Sequence, residues 1–174
     1  MNGLGRRKVT FQADDIPERG KKSFGGPRSA LSKQIITEQV YDLAEHLFKD
    51  GIDFDDTDAN WFVAPNYVLP QNWHHIARTT PLMICFPTEY PSLPPIGCYM
   101  RETIPQAPNG LHFYPNAFHE AWHEPLSEGW KWYCVYVPSG SWRPAPVRRP
   151  KDWMAGDNLW TYMTLIKEAL TSSE

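Results

Sequence analysis

The sequence is poor in cysteine. Its 174 residues hold three, Cys85, Cys98 and Cys134, an odd number with no Cys-x-x-Cys pair, so a disulfide framework is excluded. Free thiols suit a reducing compartment, and a cytoplasmic location is expected. Long apolar runs are missing too, and no stretch approaches the length of a membrane span. The opening MNGLGRRKVTFQADD has no apolar segment behind its basic residues, so no secretory signal is expected. Charge of one sign is not in excess either. A net charge of −3 offers no global attraction for nucleic acid or an anionic membrane, and neither is expected as a partner.

Proline and tryptophan are abundant instead. The 17 prolines each fix φ and remove a donor, so much of the chain must be irregular or built from short strands. Residues 1–30 read as a flexible basic tail. They carry Arg6, Arg7, Lys8, Lys21, Lys22 and Arg28 among several glycines, with too little apolar surface to offset the entropy of ordering. The apolar patch Val9-Thr10-Phe11 would anchor the tail if it docks on an acidic partner. Residues 31–174 read as a single domain.

Within that domain Ile36, Val40, Leu43 and Leu47 recur at helical spacing, and Gly51 is placed to end the helix. Asp50, Asp53, Asp55, Asp56 and Asp58 follow as an acidic linker. It lacks the glycine and terminal glutamate of a calcium loop. Four strand-like runs come next: Trp61 to Ala64, Leu82 to Phe86, Ile96 to Met100 and Lys131 to Val137, separated by prolines and glycines. A final helix presents Leu159, Met163, Ile166 and Leu170 on one face, with Asp157 as its expected cap. The order predicts an α+β fold: an N-terminal helix, a four-stranded antiparallel meander, a proline-rich region and a C-terminal helix.

One short motif points to metal chemistry. In His119-Glu120-Ala121-Trp122-His123, a helix would put both imidazoles on one face, with the glutamate placed to activate a zinc-bound water. Pro115 and Pro125 bracket the motif and leave little room for such a helix. No histidine follows His123 to serve as a third ligand. The expectation is therefore no metal and no cofactor, with a zinc-dependent hydrolase kept as an alternative. The four residues His119, Glu120, His123 and Glu124 then read as a polar rim.

The most specific stretch is VAPNYVLPQNWHHIARTTPLMICFPTEYPSLPPIGCYM. It reads as a strand, a Leu69-Pro70 turn, a strand ending in Phe86-Pro87, then Tyr90-Pro91-x-x-Pro94-Pro95 and a further strand. This resembles the ubiquitin-conjugating (UBC) fold, in which a Tyr-Pro-x-x-Pro-Pro turn staples the third strand to the fourth. The similarity extends to the prokaryotic ubiquitin-conjugating-like proteins of family E. Here the tryptophan-rich run Trp130 to Cys134, Trp142-Arg143-Pro144 and Asp157-Asn158-Leu159-Trp160-Thr161-Tyr162 match that group. The likeness runs from residue 35 to residue 171 and rests mostly on proline and tryptophan scaffolding.

The resemblance implies a transferase that carries a ubiquitin-like protein as a cysteine thioester in a bacterial conjugation pathway, of the kind often linked to antiviral defence. Its implied partners are a ubiquitin-like protein, an activating enzyme, and an acceptor protein or ligase. By order, Cys134 is the implied nucleophile. Asn116, in Phe113-Tyr114-Pro115-Asn116, stands where the family carries His-Pro-Asn and would steady the oxyanion. Tyr90, Pro91, Pro94, Pro95, Trp142 and Pro144 are the implied scaffold. No family motif assigns His112, His119 or His123, although each is an imidazole able to help deprotonate an acceptor. Cys85 and Cys98, in apolar strands, read as core. In the family the first helix meets the activating enzyme, which draws attention to Lys33, Gln34 and Glu38. A catalytically silent adaptor of the same fold remains the other reading.

Overall fold

The computed structural model describes residues 28–95, 97–101, 130–135, 137–149 and 151–171. Helix α1 spans Ala30–His46. Ser29 caps it, its Oγ accepting the Ser32 amide at 3.1 Å, which satisfies one of the donors a helix start leaves open. Ile36, Val40 and Leu43 face inward and are fully buried. The helix stops before Gly51. Phe48 first folds back into the core, and Gly51 then takes a φ of 96°, a left-handed turn that a side chain would resist.

Among the described residues the sheet has five strands where the sequence predicts four, all antiparallel in chain order. They are β1 (Asp53–Phe54), β2 (Trp61–Val68), β3 (Thr79–Cys85), β4 (Gly97–Arg101) and β5 (Trp130–Cys134). The extra strand lies inside the acidic stretch, where Asp53 pairs with Val63 and Phe54 with Phe62. The turn behind it is made by one carboxylate. Asp55 accepts the Asp58 amide on Oδ1 and the Asn60 amide on Oδ2, each at 3.1 Å. An aspartate that bonds its own backbone a few residues on is a turn-former. Strand β2 also runs further than its apolar core suggests. Its register with β3 shifts between Ala64 and Tyr67, around Pro65, which has no amide to donate.

Strand alternation sorts the side chains into two layers. Phe62, Ala64, Leu82, Ile84, Cys98, Met100 and Tyr133 belong to the main core, together with Ile36 and Val40 of α1. Trp61, Val63, Met83, Cys85 and Tyr99 form a second cluster on the other face, with Trp132 packed against it.

Helix α2 spans Leu159–Thr171, and Leu159, Met163, Ile166 and Leu170 are buried as the spacing predicts. Its cap differs from the expectation. Asn158 Oδ1 accepts the Trp160 amide at 2.8 Å, while the Asp157 carboxylate is spent on the Arg143 amide at 2.7 Å. Among the described residues, no helix is long and apolar enough to cross a membrane.

The tryptophans and tyrosines act as bolts, with an apolar body in the core and one polar atom on a named acceptor. Trp73 Nε1 donates to Leu170 O at 2.7 Å, and Tyr133 OH to Ala169 O at 3.1 Å. Trp153 Nε1 reaches Glu38 at 2.9 Å and Trp160 Nε1 reaches Asp42 at 2.6 Å, so two indoles bind consecutive turns of α1. Arg28, counted with the tail in the sequence, is buried. Its guanidinium donates to Phe86 O at 3.0 Å, Pro87 O at 2.7 Å and Asp58 O at 3.3 Å. It clasps the start of α1 to the end of β3.

Candidate functional site around Cys134

Cys134 is the last residue of β5, paired across the sheet with Gly97 of β4. It is the one cysteine of the three with part of its surface exposed; Cys85 and Cys98 are buried. Register explains the difference. Cys98 pairs with Tyr133 and points with it into the main core, whereas Cys134 shares the opposite face with Trp132, where the strand runs out.

That neighbourhood is close-fitting. A Cβ placed on Gly97 would come within 2.6 Å of the Trp132 ring, so the indole lies across Gly97, beside the cross-strand position of Cys134. No other residue allows a ring so near the backbone. In this setting desolvation by burial pushes the Cys134 thiol above its ordinary value. Burial pushes the Cys98 thiol up much further, with the nearby Cys134 adding to the effect. Among the described residues desolvation is the sole cause acting on Cys134, and no cation offsets it. At neutral pH the group is a thiol, with a small thiolate fraction.

The turn that follows β3 is the best-anchored element near β4. The Tyr90–Pro91 bond is cis. Tyr90 is buried, with its OH donating to Gln39 Oε1 and its carbonyl accepting from Ser32 Oγ. Burial holds its phenol well above the usual range. Trp142 closes over this turn, its Nε1 donating to Pro91 O at 2.8 Å and its ring 6.4 Å from that of Tyr90. Tyr90, Pro91 and Trp142 are thus brought together. Pro95 is buried and Pro94 partly so, at the approach to β4. Pro144 packs against Gly156, where an added Cβ would lie 2.7 Å from both the Pro144 carbonyl carbon and Arg143 O.

The chain leaves β5 through a tight turn, with Ser141 N donating to Pro138 O at 3.0 Å, and then enters Trp142. Cys134 therefore sits on a strand tied to β4, and the loop beyond it is bolted to the Tyr90–Pro91 turn. Asn116, His112, His119, Glu120 and His123 lie outside the described residues. Among the described residues, no group of three or more His, Cys, Asp or Glu side chains is arranged to hold a metal. His74 ring nitrogen Nε2 lies 2.9 Å from Leu69 O and serves the turn it sits in.

The α1 positions singled out in the sequence are engaged within the domain. Lys33 Nζ bonds Asp58 at 3.0 Å, Gln34 donates to Glu38 at 3.0 Å, and Glu38 also accepts from Trp153. Two structural centres were not anticipated from sequence. One is the Arg28 clasp. The other is Gln39, fully buried, whose Oε1 accepts both Tyr90 OH and the Leu159 amide. A glutamine between Ile36 and Val40 on the apolar side of α1 was the available signal, since a polar group there must find partners. No family model matches the chain, and no curated protein and no solved structure matches it.

Proposed function

We propose that this chain is a UBC-like conjugating enzyme in which Cys134 carries a ubiquitin-like protein as a thioester. The observation that carries the reading is the placement of the cysteines: of three, Cys134 alone reaches solvent, at the end of an edge strand. Support comes from its setting. A helix, an antiparallel meander and a Tyr-Pro turn precede it, and Trp142-Arg143-Pro144 and a final helix follow.

The chemistry runs in two steps. The Cys134 thiolate attacks the thioester carbonyl presented by an activating enzyme, and that enzyme's cysteine leaves as a thiolate. An acceptor amine then attacks the new carbonyl, Cys134 leaves as a thiolate, and the amine's proton passes to a base or to water. The first step exchanges one thioester for another and costs little free energy. A raised thiol pKa lowers the thiolate fraction but makes each thiolate the stronger nucleophile, so the two effects partly offset.

A second reading has an observation of its own. Desolvation with no neighbouring cation is the setting of an inert cysteine, which favours a silent adaptor that binds the same partners. One experiment separates them. Incubated with the activating enzyme, ATP and the ubiquitin-like protein, the wild type forms a reductant-sensitive adduct that Cys134→Ala abolishes. A stable complex with no adduct refutes the carrier and leaves the adaptor.

A further inference from the structure

Beyond β5 the chain forms a strap, residues 142–149, that doubles back along the segment from Asp152 to Asp157. Two carboxylates hold it by its backbone. Asp157 accepts the Arg143 amide at 2.7 Å and its own amide returns a bond to Arg143 O at 2.9 Å. Asp152 Oδ2 accepts the amides of both Arg148 and Arg149, at 3.0 and 2.7 Å. Between these anchors the strap presses on Gly156, where any side chain would strike it. Both anchors lie within a segment no longer than about 18 Å even if fully extended, so the strap is pinned at both ends over a short span.

What the anchoring leaves over is charge. Arg143, Arg148, Arg149 and Lys151 are all exposed. Among the described residues, none of the three arginine side chains has a hydrogen bond or ion pair, while the Lys151 charge is felt by Glu38. The carboxylates that touch the strap are committed to other groups: Asp152 and Asp157 to backbone amides, and Glu38 to Trp153 Nε1, Gln34, the Lys151 amide and the Lys151 charge. Each guanidinium keeps five N–H donors in a planar fork suited to a carboxylate or phosphate. A solvated loop has no need of two carboxylates and a glycine to fix its backbone. A surface that holds several cations ready for a partner does.

The surroundings narrow the partner. Single-stranded nucleic acid is held by cations together with open aromatic faces on which bases stack. Here the Trp142 ring packs on Tyr90 with its N–H on Pro91 O, and Trp153 is buried with its N–H on Glu38. Among the described residues, no indole beside the strap is free to stack. The chain's net charge of −3 also withholds the long-range attraction a polyphosphate needs. We infer that the 142–149 strap, with Lys151, is a docking site for an acidic segment of a partner polypeptide, its Asp and Glu carboxylates paired with Arg143, Arg148 and Arg149. The site stands whether or not Cys134 carries an acyl group.

The test uses the full chain and a fluorescein-labelled, glutamate-rich peptide followed by anisotropy. Wild type binds, with affinity falling as salt rises. The triple variant Arg143→Gln, Arg148→Gln, Arg149→Gln binds about tenfold more weakly, with a shallower salt dependence and an unchanged melting temperature. The tail variant Arg6→Gln, Arg7→Gln, Lys8→Gln binds as wild type does. The inference is overturned if wild type does not bind, or if the triple variant binds as tightly as wild type. It is equally overturned if the tail variant loses as much, or if a single-stranded oligonucleotide of equal charge binds more tightly than the peptide.

Discussion

Gln39 is the sharpest test of how this domain holds together. Its Oε1 accepts two buried donors from different elements, the Tyr90 hydroxyl after β3 and the Leu159 amide at the start of α2, the latter at 2.9 Å. Gln39→Met keeps the length and volume of the side chain but removes the acceptor. Two buried donors then lose the acceptor they share, at about 1–3 kcal/mol each. Some of this is returned, because Gln39 Nε2 is itself buried without a partner among the described residues, and Met abolishes it. The net loss is about 2–3 kcal/mol, a large share of a typical domain stability of about 5–15 kcal/mol. Tyr90→Phe removes one donor and leaves Gln39 bonded to Leu159, for a loss of about 1 kcal/mol. In the double variant the orphaned hydroxyl no longer exists, so the two losses fall short of additivity by about 1 kcal/mol. Urea unfolding followed by tryptophan fluorescence measures all four corners of the cycle, and amide exchange at Leu159 reads the local bond. A Gln39→Met loss below about 0.5 kcal/mol, or strict additivity with Tyr90→Phe, refutes the shared acceptor.

Three further outcomes follow from the geometry. Alkylation of Cys134 should rise with pH along a curve whose midpoint lies above that of a free thiol, about 8.5, while Cys98 stays unmodified in the native protein; mass-spectrometric mapping against pH checks both. Gly97→Ala should cost about 1–3 kcal/mol, because its Cβ would meet the Tyr133 carbonyl oxygen at 2.4 Å and the Trp132 ring at 2.6 Å, and should speed Cys134 alkylation as β5 is pushed from β4. The buried acids should weaken the protein in alkali. Cys98, Tyr67, Tyr90 and Tyr162 all have folded values raised by burial, so they give up protons more readily when unfolded. Their contribution is therefore present in full below about 8.5. It declines as pH climbs past the unfolded thiol and then past the unfolded phenol near 10, which denaturation midpoints measured across that range will show.

The strongly periodic elements were legible in the sequence. Ile36, Val40 and Leu43 announce α1, and Leu159, Met163, Ile166 and Leu170 announce α2, because an apolar stripe at helical spacing has one good solution. The interiors of β2 to β5 were legible as short apolar runs bounded by prolines and glycines, and β2 to β4 carry continuous stretches of buried residues. Strand β1 was not, because two residues carry no period, and Asp53 and Phe54 pair only because Asp55 turns the chain behind them. The cap of α2 was misassigned between neighbours. Asp157 and Asn158 are equally good caps in isolation, and the choice was made by Arg143, whose amide takes the Asp157 carboxylate. Arg28 was hidden by company. Among glycines and other cations it reads as tail, and its burial depends on carbonyls at Asp58 and Phe86 that no local pattern reveals.

For the site, sequence order pointed to Cys134, but its environment was decided by a residue with no side chain. Gly97 lets the Trp132 indole lie against β4, beside the position that faces Cys134 across the sheet, where the thiol is desolvated. On the carrier reading this has a definite consequence. A thiol of raised pKa is a poorer leaving group, so its thioester survives longer in water and releases the acyl group only to a well-placed acceptor. If the indole beside Gly97 is what keeps water from Cys134, Trp132→Ala should shorten the lifetime of the Cys134 adduct toward hydroxylamine while leaving its formation nearly unchanged. An adduct whose lifetime is the same with and without the indole would separate Trp132 from the chemistry and leave it as packing alone.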